Sequence, residues 1–157
     1  MTRRRFLGAA VAGAIAAAVA PAVWALTSRS GADGGPPTIA YGSDRCDQCG
    51  MIISEVRFAS AWRDGRLVRR YDDIGCLARG SGPRLAAGRG SAFVHDSAHG
   101  DWMEVAQAAF VRSPQIRTPM HYGIAAFADR LAATTAYPSA QVTTWADLLL
   151  GVLREQS

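Results

Sequence analysis

The chain has 157 residues, which admits one modest domain beside an N-terminal segment, with 17 basic and 13 acidic side chains and no lysine. Three of the arginines stand at positions 3–5; taking them from the 17 leaves 14 basic against 13 acidic, so net charge makes no case for nucleic-acid binding. The 3 cysteines are too few, and odd in number, for the disulfide framework of a small exported domain, and fit thiols kept for chemistry.

Thr2-Arg3-Arg4-Arg5-Phe6-Leu7-Gly8 resembles a twin-arginine export motif, and a weakly apolar run follows from Ala9 to Leu26. Residues 1–26 are therefore expected to be a twin-arginine-type signal peptide or, left uncleaved, a membrane anchor. Either places the domain in the periplasm. Residues 27–37, TSRSGADGGPP, are rich in Gly, Ser and Pro and read as a flexible linker. The globular domain is expected over 38–157.

Thr38–Tyr41 is a candidate first strand. Cys46-Asp47-Gln48-Cys49-Gly50-Met51 follows, two thiols and a thioether around a glycine. Phe58–Trp62 and Leu67–Tyr71 read as strands joined at Asp64-Gly65, where a type I′ turn is expected. Asp72 or Asp73 caps a helix through Ile74, Cys76, Leu77 and Ala78. Gly80–Gly90 reads as a loop and Ser91–His95 as a strand. Asp101-x-x-Glu104 has capping-box spacing, which predicts a helical turn from Trp102. Ala108–Val111 precedes a Ser113-Pro114 break, and Thr118-Pro119-Met120-His121-Tyr122-Gly123 is a loop. Gly123–Phe127 is strand-like, Asp129–Ala136 helical, and Val142 lies in a last short strand. Thr144 caps a final helix, Trp145–Arg154, in which Trp145, Leu148, Leu149, Val152 and Leu153 keep a helical period. Residues 57–95 and 108–143 both read strand, strand, helix, strand. The expected fold class is α+β, two small tandem ββαβ units packed as one domain.

Cys49-Gly50-Met51, Tyr71-Asp72-Asp73-Ile74-Gly75-Cys76 and Thr118-Pro119-Met120 with Gly123-Ile124-Ala125-Ala126-Phe127, in that order, resemble the NosL family; His95-Asp96 ahead of Trp102 matches its middle segment. The resemblance covers residues 38–145. It implies an exported copper-binding accessory protein of nitrous oxide reductase maturation, on a fold related to organomercurial lyase. The implied cargo is Cu(I), and the implied partner a copper-accepting enzyme or its assembly complex. A monomer or weak dimer is expected, and no enzymatic activity, since no catalytic acid is paired with the thiols. The lipoprotein cysteine that many family members carry is missing here.

Cu(I) is a soft ion that takes two to four thiolate, thioether or imidazole ligands. Cys49 is the first candidate ligand and Met120, in a loop stiffened by Pro119, the second. Cys46, Met51 and His121 complete the candidate set. Cys46 is equally suited to a disulfide with Cys49, and the methionines to core filling. Cys76 reads as core, Asp72 and Asp73 as helix caps, and His95 and His99 as structural or surface residues. The alternative function is a periplasmic thiol–disulfide protein using Cys46-x-x-Cys49. That motif ordinarily opens a helix, and Gly50-Met51 is a poor helix start. A zinc knuckle wants a second ligand pair that the sequence does not display. Catalysis on a carbon–metal bond rests on fold analogy alone.

Overall fold

A computed structural model of the chain describes residues 34–155; the leader and most of the linker expected from the sequence lie outside the described residues. The described residues form one compact unit.

Two antiparallel sheets carry the architecture. The first has the order β2-β1-β3-β4, with β1 at Ser60–Asp64, β2 at Leu67–Tyr71, β3 at Ser91–His95 and β4 at Trp102–Glu104. The second has the order β6-β5-β7, with β5 at Ala109–Arg112, β6 at Ile124–Phe127 and β7 at Val142–Thr143. Helix α1 (Ile74–Ala86) links β2 to β3, α2 (Arg130–Ala136) links β6 to β7, and α3 (Trp145–Arg154) closes the chain. In each half a hairpin is followed by a helix and by a third strand that returns beside the first strand, antiparallel to it. The tandem ββαβ repeat expected from the sequence is thus present, with β4 added to the edge of the first unit.

The two units share a core. Strand β6 is buried at all four positions. Ile124 and Ala126 pack with Trp62, Tyr71, Ile74, Leu77, Phe110, Leu149 and Val152 in the larger core. Ala125 and Phe127 face a smaller core with Phe58, Val111, Ile116 and Ala133. Alternation along a strand accounts for this, since successive side chains point to opposite faces. Ser97 N–H also donates to the Ala126 carbonyl at 2.8 Å, tying the turn after β3 to the second unit.

Four local expectations are corrected. Thr38–Tyr41 forms no strand; the Ala40 carbonyl accepts from Ser43 and Asp44 in a tight turn. The β1–β2 turn is of the II′ kind, because Gly65 has φ 58° at the first central position while Arg66 stays at negative φ. Helix α1 runs on through Gly80, Gly82 and Pro83 to Ala86 where a loop was expected. Tertiary packing overrides propensity there: a Cβ on Gly80 would stand 2.8 Å from the Tyr71 ring, so glycine lets the helix lie against β2. Trp102 begins strand β4 and not a helix. A turn closed by Gly100 N–H to the Asp96 carbonyl (2.7 Å) brings Trp102 opposite His95, with the rings 3.8 Å apart.

Candidate metal centre

The Cys hexapeptide is a closed loop held by its own backbone. Arg45 and Ile52 pair as an antiparallel bridge. Cys46 N–H donates to the Met51 carbonyl at 2.8 Å, and Gly50 N–H to the Cys46 carbonyl at 2.9 Å. Gly50 has φ 78°, a left-handed conformation that strains any residue with a Cβ. The loop is fixed to β2 by a reciprocal pair: Asp47 N–H donates to the Arg70 carbonyl at 2.8 Å, and Arg70 N–H to Asp47 Oδ2 at 2.6 Å.

That attachment carries Cys46 and Cys49 to the junction of β2 and α1, where the chain supplies two more donors. One ligand atom each from Cys46, Cys49, Asp72 and Cys76 all lie within 4.8 Å of one another. Cys46 is 3 % exposed, Asp72 1 % and Cys76 1 %, whereas Cys49 is only half-buried and forms the open side of the cluster. The Cys49 thiol donates to Asp72, at 3.4 and 3.5 Å from its two oxygens. All three cysteines are free.

Electrostatics divide the thiols. Cys46 is drawn down to about 6, chiefly because the Cys76 thiol donates to it, with help from the backbone N–H groups of Cys49 and Asp72 against the cost of burial. The Cys76 thiol, as donor to Cys46 and itself buried, is pushed strongly upward. Cys49 is pushed up to about 11, mainly by burial, despite the Met51 N–H at its sulfur. Of the three thiols, Cys46 is the one favoured to lose its proton first.

Cys76 holds the core position expected of it, while Asp72 departs from the cap role. Cys76 is buried in α1, as core would be, but its sulfur stands among the other thiols. Asp73 alone caps α1, accepting from Gly75 N–H at 2.9 Å, while Asp72 turns toward the sulfurs. The signal was present in the sequence: Asp72 and Cys76 are four apart at a helix entry, and one of two adjacent acids suffices for the cap.

Asp73 also brings the second loop to this junction. Its Oδ2 accepts from Met120 N–H at 3.0 Å, and the Thr118 hydroxyl donates to it as well. Burial raises the Asp73 carboxyl above the ordinary range. Tyr122 lies over Gly75 so closely that a Cβ there would overlap its ring, and its hydroxyl accepts from Arg79 at 2.6 Å. The 118–122 loop therefore sits on the first turn of α1, beside Asp72 and Cys76. Met51 is 47 % exposed and Met120 36 %, so neither fills a core. His121, exposed at φ 59°, lines a groove with Arg112 and Arg117 and is not among the donors of the 4.8 Å cluster. His95 is committed elsewhere: Nδ1 to the Gly100 carbonyl at 2.7 Å and Nε2 to the Tyr41 hydroxyl at 2.8 Å. His99 is bound to Asp96 at 2.7 Å.

Neither a family model nor a curated protein sequence matches the chain. Among solved structures, the fold is similar to the crystal structure of the copper chaperone NosL from Shewanella denitrificans. The TM-score is 0.60 at 14 % identity, over 70 % of this chain and 92 % of that one. The NosL-like α+β fold expected from the motifs is therefore the fold observed. Among the described residues no helix is long and apolar enough to cross a membrane.

Proposed function

We propose that this protein is an exported Cu(I) chaperone. The observation that carries the reading is the convergence of three free thiols within 4.8 Å, on a fold shared with a copper chaperone. Soft thiolates match the soft d¹⁰ ion, and the half-buried Cys49 gives an acceptor a way in. Cys49 and Cys46 are the primary ligands. Met51 and Met120 are exposed thioethers on the loops bordering the junction, and with His121 they are the donors an ion meets on arrival and departure. Loading displaces the protons still held by the ligating thiols. Transfer is ligand exchange: a donor of the acceptor bonds to copper, the copper–Cys49 bond breaks, and copper stays monovalent throughout.

The acceptor proposed is nitrous oxide reductase or its assembly complex, and the route outward is the twin-arginine leader at residues 1–26. No catalysis is assigned.

Reduced protein is expected to take up one Cu(I) per chain in competition with a chromophoric chelator. Cys49→Ser is expected to weaken that uptake by at least tenfold; unchanged affinity would mean the site lies elsewhere. A thiol–disulfide function draws support from one observation, the Cys46 thiol held near 6. Against it, Cys46 is 3 % exposed, and the Cys-x-x-Cys segment lies in a turn, not at a helix start. Rapid dithiol cycling without copper affinity would decide for that alternative.

A further inference from the structure

Asp72 has no task in a Cu(I) site. A carboxylate is a hard donor, and a soft monovalent ion is satisfied by two or three sulfurs. Yet Asp72 is 1 % exposed and lies with its oxygen among three sulfurs. We propose that the same pocket is a binding site for a divalent thiophilic cation of the zinc and cadmium class, with Cys46, Cys49 and Cys76 as thiolate ligands and Asp72 as the fourth.

Three observations lead there. The first is completeness. A single Cys-x-x-Cys lacks the second pair that a tetrahedral site needs. The fold supplies that pair from the β2–α1 junction as Asp72 and Cys76. The second is spacing. Bonds of about 2.3 Å to sulfur and 2.0 Å to oxygen at tetrahedral angles put neighbouring sulfur and oxygen about 3.5 Å apart, and two sulfurs about 3.8 Å apart. Cys49 Sγ stands 3.4 and 3.5 Å from the Asp72 oxygens, and no separation in the set exceeds 4.8 Å. Closure needs a contraction of about 1 Å at most.

The third is charge. Three thiolates and a carboxylate bring four negative charges, and a doubly charged ion leaves a smaller excess than a singly charged one. In a buried pocket that difference weighs heavily. Cys76 also lies in the first turn of a 13-residue helix, where the dipole favours negative charge. Binding releases the protons still held by the thiols and moves no electrons.

This inference rests on the same thiols as the copper reading but fails or stands separately from it. The full chain, reduced and kept anaerobic, would be titrated with Cd(II), and the ultraviolet thiolate-to-cadmium band used to count sulfurs. Three thiolates per ion are expected for wild type and two for Cys76→Ser. Asp72→Asn is expected to weaken Cd(II) and Zn(II) binding at least tenfold while Cu(I) affinity stays within threefold. A two-thiolate band indifferent to Cys76→Ser, or equal losses for both ion classes in Asp72→Asn, would overturn the proposal. X-ray absorption at the zinc edge of unmodified protein needs no variant to fold: three sulfurs and one oxygen support it, and a shell with fewer than three sulfurs sinks it. Cu(I) uptake without Cd(II) uptake removes this inference alone. The reverse removes only the copper reading.

Discussion

Adjacent aspartates do different work at the β2–α1 junction, because consecutive side chains at a strand end point opposite ways. Asp72 faces the sulfurs, and Asp73 holds the Gly75, Met120 and Thr118 donors. Losing Asp73 uncaps α1 and frees the amide that seats the 118–122 loop. A helix cap is worth about 1 kcal/mol and a buried bond to a charged acceptor about 2. Asp73→Ala is expected to lower stability by about 3 kcal/mol in urea unfolding, and Asp73→Asn by less, since the amide oxygen keeps one acceptor. His95 sets a pH dependence. Burial lowers its pKa against the opposing pull of the Gly100 carbonyl and Asp101, so between that lowered value and about 6.5 the unfolded chain binds more protons. The His95 contribution is therefore fully present above about 6.5 and is lost as pH falls below it. In His95→Gln the stability difference from wild type should shrink between pH 7.5 and pH 5. A constant difference would show that His95 does not titrate with folding.

Glycines in the helices separate packing from propensity. Gly75 and Gly151 both lie inside helices, where alanine is intrinsically better by about 1 kcal/mol. Nothing stands within 4 Å of a Cβ on Gly151, so Gly151→Ala is expected to stabilise by about 0.5–1 kcal/mol. Gly75→Ala meets the Tyr122 ring near its root, where turning the ring about its Cβ–Cγ bond gives no relief. It is expected to destabilise by about 1–3 kcal/mol and to push the 118–122 loop off α1, visible as faster amide exchange at Met120. Equal effects at the two positions would contradict this packing. Two other helix glycines, Gly80 and Gly82, explain what the sequence conceals. Both ββαβ units were legible from alternation and turn residues. The second half of α1 was not, because Gly80, Gly82 and Pro83 are loop-like by propensity, and only the packing of Tyr71 against Gly80 and Leu149 against Gly82 shows why the helix continues. At the site, Cys46 and Cys49 announce themselves by spacing. Cys76 sits 27 positions beyond Cys49, and only the pairing of the hexapeptide with β2 brings them together.

At the scale of the molecule, the ion would join segments that the backbone connects only indirectly. Cys46 and Cys49 sit on a loop ahead of the first sheet, and Cys76 on a helix packed against both units. The larger core runs without break from Ile39 through α1 to Val152 in α3. An ion tying the loop to α1 therefore opposes opening of the whole core. With Cys76 joining Cys46 and Cys49 on the ion, the unfolded chain offers no such cluster and the gain follows mass action: free Cu(I) buffered at 100 times its dissociation constant adds about 2.7 kcal/mol. For a domain of this size, that corresponds to a melting-temperature rise of about 10 °C. The rise should vanish when a competing chelator strips the ion, and should shrink in Cys49→Ser. A wild-type melting temperature indifferent to Cu(I), at a concentration where spectroscopy shows the ion bound, would mean that the ion is held without crossing the loop–α1 contact. The ligands would then be Cys46 and Cys49 on one loop, a local pair that the unfolded chain supplies as well.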